Sequence, residues 1–144
     1  MKKDSEMDKM LLETIISLEV KPSFWKAAPV EVEPQKWLEA WQVVKVVKSN
    51  GFEERFGFHF VGRNCREHNG AVSSKIEKFD PKTLRGVTHS GRVYQLVGLP
   101  GYSSDAQYVL DCWSQANQVE TANATEEFVK QYGISLEHID QLMR

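Results

Sequence analysis

The chain has little cysteine, little proline outside one stretch, no long apolar run and no excess of one charge. Its 144 residues hold two cysteines, Cys65 and Cys112, far apart and without CxxC spacing. Lone thiols make no disulfide framework, and the expectation is two buried free thiols in a reducing cytoplasm. No segment approaches the roughly 18 consecutive apolar residues of a membrane span. Lys2 and Lys3 are followed by Asp4, Glu6, Asp8 and Glu13 instead of an apolar stretch, so no secretory signal is expected. The net charge is −2, which speaks against a globally basic nucleic-acid binder. Walker, GxGxxG and GxSxG motifs are missing, as is any repeat at solenoid periods.

What is present fits one ordinary domain, with 41% hydrophobic and 26% charged residues. Met7, Met10, Leu11, Ile15 and Leu18 fall on one helical face and predict an N-terminal helix within residues 1–20. Pro22, Pro29 and Pro34 make 21–40 an extended linker. From Trp41 to Val97 the pattern is β-rich. Asn50-Gly51, Asn69-Gly70, Asp80-Pro81 and Ser90-Gly91 punctuate five strand candidates. Phe56, Phe58 and Phe60 alternate onto one face of the second. Four turns between five strands predict an antiparallel meander over 41–98, strongly twisted or partly barrelled, in an α+β fold. Helices are expected over 104–144. Ser104 has N-cap spacing to Gln107, and Ala106, Val109, Leu110, Trp113 and Ala116 form the apolar stripe. Two further short helices follow, the first stopped by Gly133 and the second capped by Ser135.

The run Thr88-His89-Ser90-Gly91-Arg92-Val93-Tyr94, followed by Gly98, Pro100-Gly101 and Asp105-Ala106-Gln107-Tyr108, resembles a family of small bacterial proteins. That family shares a threonine-any-serine-glycine-arginine-valine-tyrosine strand, a glycine-proline turn and a following helix. The resemblance covers about residues 41–115. It implies a recurring core and carries over no catalytic residue, since the family has no established activity.

Charge is polarised along the chain. Residues 45–92 carry ten basic and five acidic side chains, while the flanks are net acidic. A basic sheet with Arg63, Lys75, Arg85 and Arg92 clustered and unpaired would meet phosphates. His59 and Arg63 are expected on the face opposite the phenylalanines. The plain alternative is a solvated face paired with acidic helices.

Other constellations are weaker. Cys65 and His68 have CxxH spacing, with Cys112 or His138 as further ligands, but structural zinc wants two close pairs; no metal and no cofactor is expected. Ser90 with His89 and Asp80 lacks a nucleophile elbow, and neighbouring strand residues face opposite ways. Ser73-Ser74 fails for the same reason. Gly98–Gly101 precedes a helix N-terminus that its own residues cap. Glu53-Glu54 and Glu126-Glu127 suit a turn and a helix start. His89, Arg92 and Tyr94 remain the best ligand-binding candidates, since Arg92 and Tyr94 share a strand face. Trp37 and Trp41, with Met7, Leu11 and Ile15 of the first helix, are candidates for a protein interface or a homodimer contact, against a core reading for the tryptophans. A non-catalytic interaction or regulatory module leads. A nucleic-acid-associated module and a small enzyme around His89, Arg92 and Tyr94 are the alternatives.

Overall fold

The computed structural model describes residues 34–51 and 53–142. The expected N-terminal helix with Met7, Leu11 and Ile15, and the linker up to Glu33, lie outside these residues. Six strands are described: β1 Lys36–Ser49, β2 Phe58–Asn64, β3 Asn69–Asp80, β4 Arg85–Thr88, β5 Val93–Pro100 and β6 Val119–Asn123. The helices are α1 Ser104–Asn117, α2 Thr125–Tyr132 and α3 Leu136–Leu142. The fold is α+β, and its sheet is mixed, not a five-stranded antiparallel meander alone.

Strands β1 to β5 pair successively antiparallel, as turn chemistry demands. The start of β1 then pairs parallel with β5, in register Leu38 to Leu96, and closes the five strands into a ring. The second half of β1 leaves β5 and takes β6 as its antiparallel neighbour, with Val44 beside Asn123. One long strand serves both sets of pairings because it bends at Ala40. That residue sits at φ 46°, and the register shifts there against both β2 and β5. The sheet therefore starts at Lys36, inside the expected linker, and gains a strand inside the expected helical region.

The turns follow their residues. Gly91 has φ 87°, and its N–H donates to the Thr88 carbonyl at 2.8 Å, closing the β4–β5 turn. The Asp80 side chain accepts from the Lys82 N–H at 2.9 Å, while Leu84 ends that turn at φ 61°. Asn50-Gly51 leads not into a two-residue hairpin but into a longer connection that includes a 3-10 turn, Glu53–Arg55. Asn69-Gly70 opens β3, and the turn before it is completed by His68 at φ 60°.

Leu38, Trp41, Val43, Phe60, Phe79, Tyr94 and Leu96 fill one core, into which Phe128, Ile134 and Ile139 from the α2–α3 region are packed. Phe128 meets Phe79 and Tyr132 at ring distances of 5.0 and 4.7 Å. A second, smaller core of Val44, Val61, Ala106 and Leu110, with Val72 and Trp113 against it, joins α1 to the outer face of β1–β3. The N-cap of α1 is Ser103, one residue before the expected Ser104; its hydroxyl accepts from the Ala106 N–H at 3.2 Å. Gln107 does not complete a capping box, because its amide donates to Asp111. Gly133 ends α2 at φ 63°, and the Ser135 hydroxyl accepts from the His138 N–H, both as expected.

Candidate functional site

The expected reactive groups do not converge. His89 is exposed, and its Nδ1 lies 3.0 Å from Glu77 across the β3–β4 hairpin. Tyr94 points into the core and is buried, while Arg92 stays exposed with its charge near the phenol. Arg92 lies just before β5, near Tyr94, while His89 turns to Glu77. The shallow cleft beside Arg92, about 420 Å³, is lined by Gln35, Lys36, Glu67, Ser90 and Gly91 and by neither His89 nor Tyr94. Burial pushes the Tyr94 phenol above its ordinary pKa of 10, against the pull of Arg92.

The four basic candidates do not form an unpaired cluster. Arg63 donates to Glu39 at 2.6 Å, with its Nη2 also 3.2 Å from His68 and its Nε 3.9 Å from Asp105 at the start of α1. Arg85 donates to Gln95 on the neighbouring strand at 2.7 Å. The Lys75 side chain lies along Gly57, whose missing Cβ leaves room for it. The acidic partners come from distant parts of the sequence, so a count along the chain makes this region look more basic than the folded surface is.

Trp41 is a core residue, not an interface residue. It is fully buried and donates from its indole to the Gly98 carbonyl at 2.9 Å. Spacing of four along a regular strand would put Trp37 and Trp41 on one face. The bend at Ala40 inserts an extra step and sends Trp41 inward with Leu38 while Trp37 stays half-buried outside. Arg66 stacks over the Trp37 ring at 4.4 Å. The Trp37 indole N–H is sealed from solvent and has no acceptor among the described residues.

The thiols are unpaired, but only partly buried: Cys65 is intermediate and Cys112 is exposed on α1. Burial and the nearby Glu39 carboxylate push the Cys65 thiol above its ordinary pKa, which disfavours the thiolate. Among the described residues, no group of three or more His, Cys, Asp or Glu side chains could hold a metal. No helix among them is long and apolar enough to cross a membrane.

Two features escaped the sequence patterns. The first is a shoulder where β5 runs into α1. Leu99 is 41% exposed, Tyr102 65% and Tyr108 69%, so three of the five large apolar side chains left exposed among the described residues fall within ten positions. Strand alternation puts Leu99 outside the ring, and helix phase puts Tyr108 on the side of α1 away from Ala106 and Leu110. The signal lay in Tyr108 falling off the apolar stripe of α1; Tyr102 precedes the helix.

The second is a buried polar node under α1. His59 is 1% exposed. Its Nδ1 lies 3.0 Å from the Ser73 carbonyl, and its Nε2 accepts from the Gly57 N–H at 3.2 Å. The expected outward direction of His59 is right, but Trp113 covers the ring at 4.9 Å, so it is not solvated. Phe56 turns to this same side, 6.0 Å from Trp113, because Gly57 separates it from the strand that carries Phe58 and Phe60. A bulge in β3 underlies the node: between the pairs His59–Lys75 and Val61–Val72, β3 has one residue more than β2.

No protein-family model, no curated protein and no solved structure matches this chain.

Proposed function

We propose that the chain is a non-catalytic protein-interaction module whose contact surface is the β5–α1 shoulder of Leu99, Tyr102 and Tyr108. The observation that carries this reading is the exposure of two tyrosines, 65% and 69%, and of a leucine within ten positions at the strand-to-helix junction. Tyrosine offers a large apolar face and a polar tip at low conformational cost, which is why it is enriched at contact surfaces. A regulatory role through a protein partner, or through a second copy of the chain, fits the same surface. The free thiols, one of them exposed, support a reducing cytoplasmic setting.

The nucleic-acid reading rests on the charge of residues 45–92 and is weakened by the partners that Arg63 and Arg85 find inside the fold. The enzyme reading is weakened because His89 pairs with Glu77 and neither His89 nor Tyr94 lines the cleft beside Arg92.

The test compares the full chain with the double variant Tyr102→Ser, Tyr108→Ser. Sedimentation velocity over a wide concentration range reads self-association, and quantitative capture with identification of the bound proteins reads partners. Loss of either association in the double variant, at unchanged melting temperature, supports the reading. A monomer whose bound proteins are the same with and without the tyrosines overturns it.

A further inference from the structure

We propose that His59 is a pH-operated latch that holds Phe56-Gly57, at the entry to β2, and helix α1 against the β3 bulge. Three elements meet at its ring. The Ser73 carbonyl of the bulge faces Nδ1 at 3.0 Å, and the Gly57 N–H of the connection faces Nε2 at 3.2 Å. The rings of Phe56 and Trp113 pack on the imidazole at 6.1 and 4.9 Å and on each other at 6.0 Å.

The partners dictate the protonation state. A carbonyl only accepts and a backbone N–H only donates, so the ring must carry its hydrogen on Nδ1 and keep Nε2 bare. A second proton would go to Nε2 and point at the Gly57 N–H, donor against donor. It would also charge a ring buried to 1% exposure.

Among the described residues, the groups that face the ring offer such a charge no relief. Lys75 stands opposite His59 across the β2–β3 ladder. The connection brings Arg55, stacked on Phe56 at 5.6 Å, and its Glu53 is exposed. From β1 the register neighbour is Val44, and from α1 the covering residue is Trp113, both uncharged. Burial first, then Lys75, hold the imidazole below its ordinary pKa of 6.5, against the bond to the Ser73 carbonyl.

The ring therefore takes a proton by leaving its site. Once released it titrates as an ordinary histidine near pH 6.5, so the open form gains population as the pH falls below that value. The gain is limited to about tenfold at pH 5.5. Opening frees the Gly57 N–H and uncovers Phe56 and the underside of Trp113, while the ring core on Phe60, Phe79 and Phe128 keeps its contacts.

The test is amide hydrogen exchange on the full chain between pH 7.5 and 5.5, corrected for the intrinsic pH dependence of exchange. Protection of the Gly57 amide is expected to fall by up to about tenfold. Protection of the Leu96 amide, bonded to the Leu84 carbonyl in the core, is expected to hold. In His59→Gln, which keeps a neutral donor and acceptor, the fall at Gly57 disappears. Ring NMR of the unaltered chain serves where that variant fails to fold, and is expected to show the Nδ1–H tautomer with a midpoint below 6.5. An Nε2–H tautomer, a midpoint at or above 6.5, an unchanged Gly57 amide, or an equal fall at Leu96 each overturns the latch.

Discussion

The backbone N–H of Phe60 donates to the hydroxyl of Ser73 at 2.8 Å, where a regular ladder would supply a carbonyl. The extra residue in β3 removes that carbonyl from register, and the Ser73 side chain takes its place. The same hydroxyl donates onward to the Ser74 carbonyl at 2.7 Å. Ser73→Ala would leave the Phe60 N–H buried without an acceptor. We expect a loss of about 1–3 kcal/mol in urea unfolding, larger than the lost hydroxyl contact alone would give. An unchanged midpoint would mean that the bulge relaxes to a regular ladder.

Helix α1 is seated on β3 through a glycine. A Cβ at Gly70 would stand 2.4 Å from the Asp105 carbonyl oxygen and 2.7 Å from the Ala106 Cα, both backbone atoms of the first turn of α1. No side chain can swing away to make room, so the helix itself must lift. Gly70→Ala is expected to cost about 3 kcal/mol, at the upper end of ordinary overpacking. Near-UV circular dichroism should weaken with it, as Trp113 loses its packing on His59 and Phe56. A variant with the wild-type melting temperature would show that α1 does not need this close approach.

Alkaline stability should depend on Tyr94. Its phenol ionises near pH 10 in the unfolded chain and higher in the folded one, because burial opposes the phenolate more than Arg92 favours it. The unfolded state therefore releases its proton first as the pH rises. Stability is full below pH 10 and is lost as the pH climbs through the folded pKa. Tyr94→Phe removes that slope. Urea midpoints at pH 8.5 and 10.5 measure it: the difference between them should shrink in the variant, and an equal difference would assign the alkaline loss to other groups.

Local chemistry was legible, and long-range closure was not. The turns at Asp80-Pro81 and Ser90-Gly91, the stop at Gly133 and the Ser135 cap depend on a few adjacent residues, and each was readable in the sequence. The parallel β1–β5 pairing joins residues nearly sixty positions apart, and no local pattern announces it. Strand β6 has only five residues, Val-Glu-Thr-Ala-Asn, set between two helices, too short for alternation to stand out. Trp41 was ambiguous for a single reason, the bend at Ala40, which reverses the faces of a strand that otherwise alternates. His59 and Phe56 form one cluster because α1, more than forty residues downstream, lies across both. The exposure of Tyr108 was legible only as what the apolar stripe of α1 left out, and that of Tyr102, before the helix, had no such signal.

The bend at Ala40 and the end of α2 at Gly133 make a matched test of one backbone effect. Both residues are left-handed, with φ 46° and 63°, and only one is glycine. Left-handed backbone costs an alanine about 1–2 kcal/mol, while glycine's extra freedom in the unfolded chain costs about 0.5–1 kcal/mol. The strain is the larger quantity, so Ala40→Gly should stabilise the protein by up to about 1 kcal/mol. Gly133→Ala should destabilise it by a similar amount, since a Cβ there meets nothing within 4 Å and only the strain acts. Urea unfolding of both single variants checks the sign. A clear loss in Ala40→Gly would show that the methyl group packed near Gly101 contributes more than its backbone conformation costs, and that the bend is held by that contact.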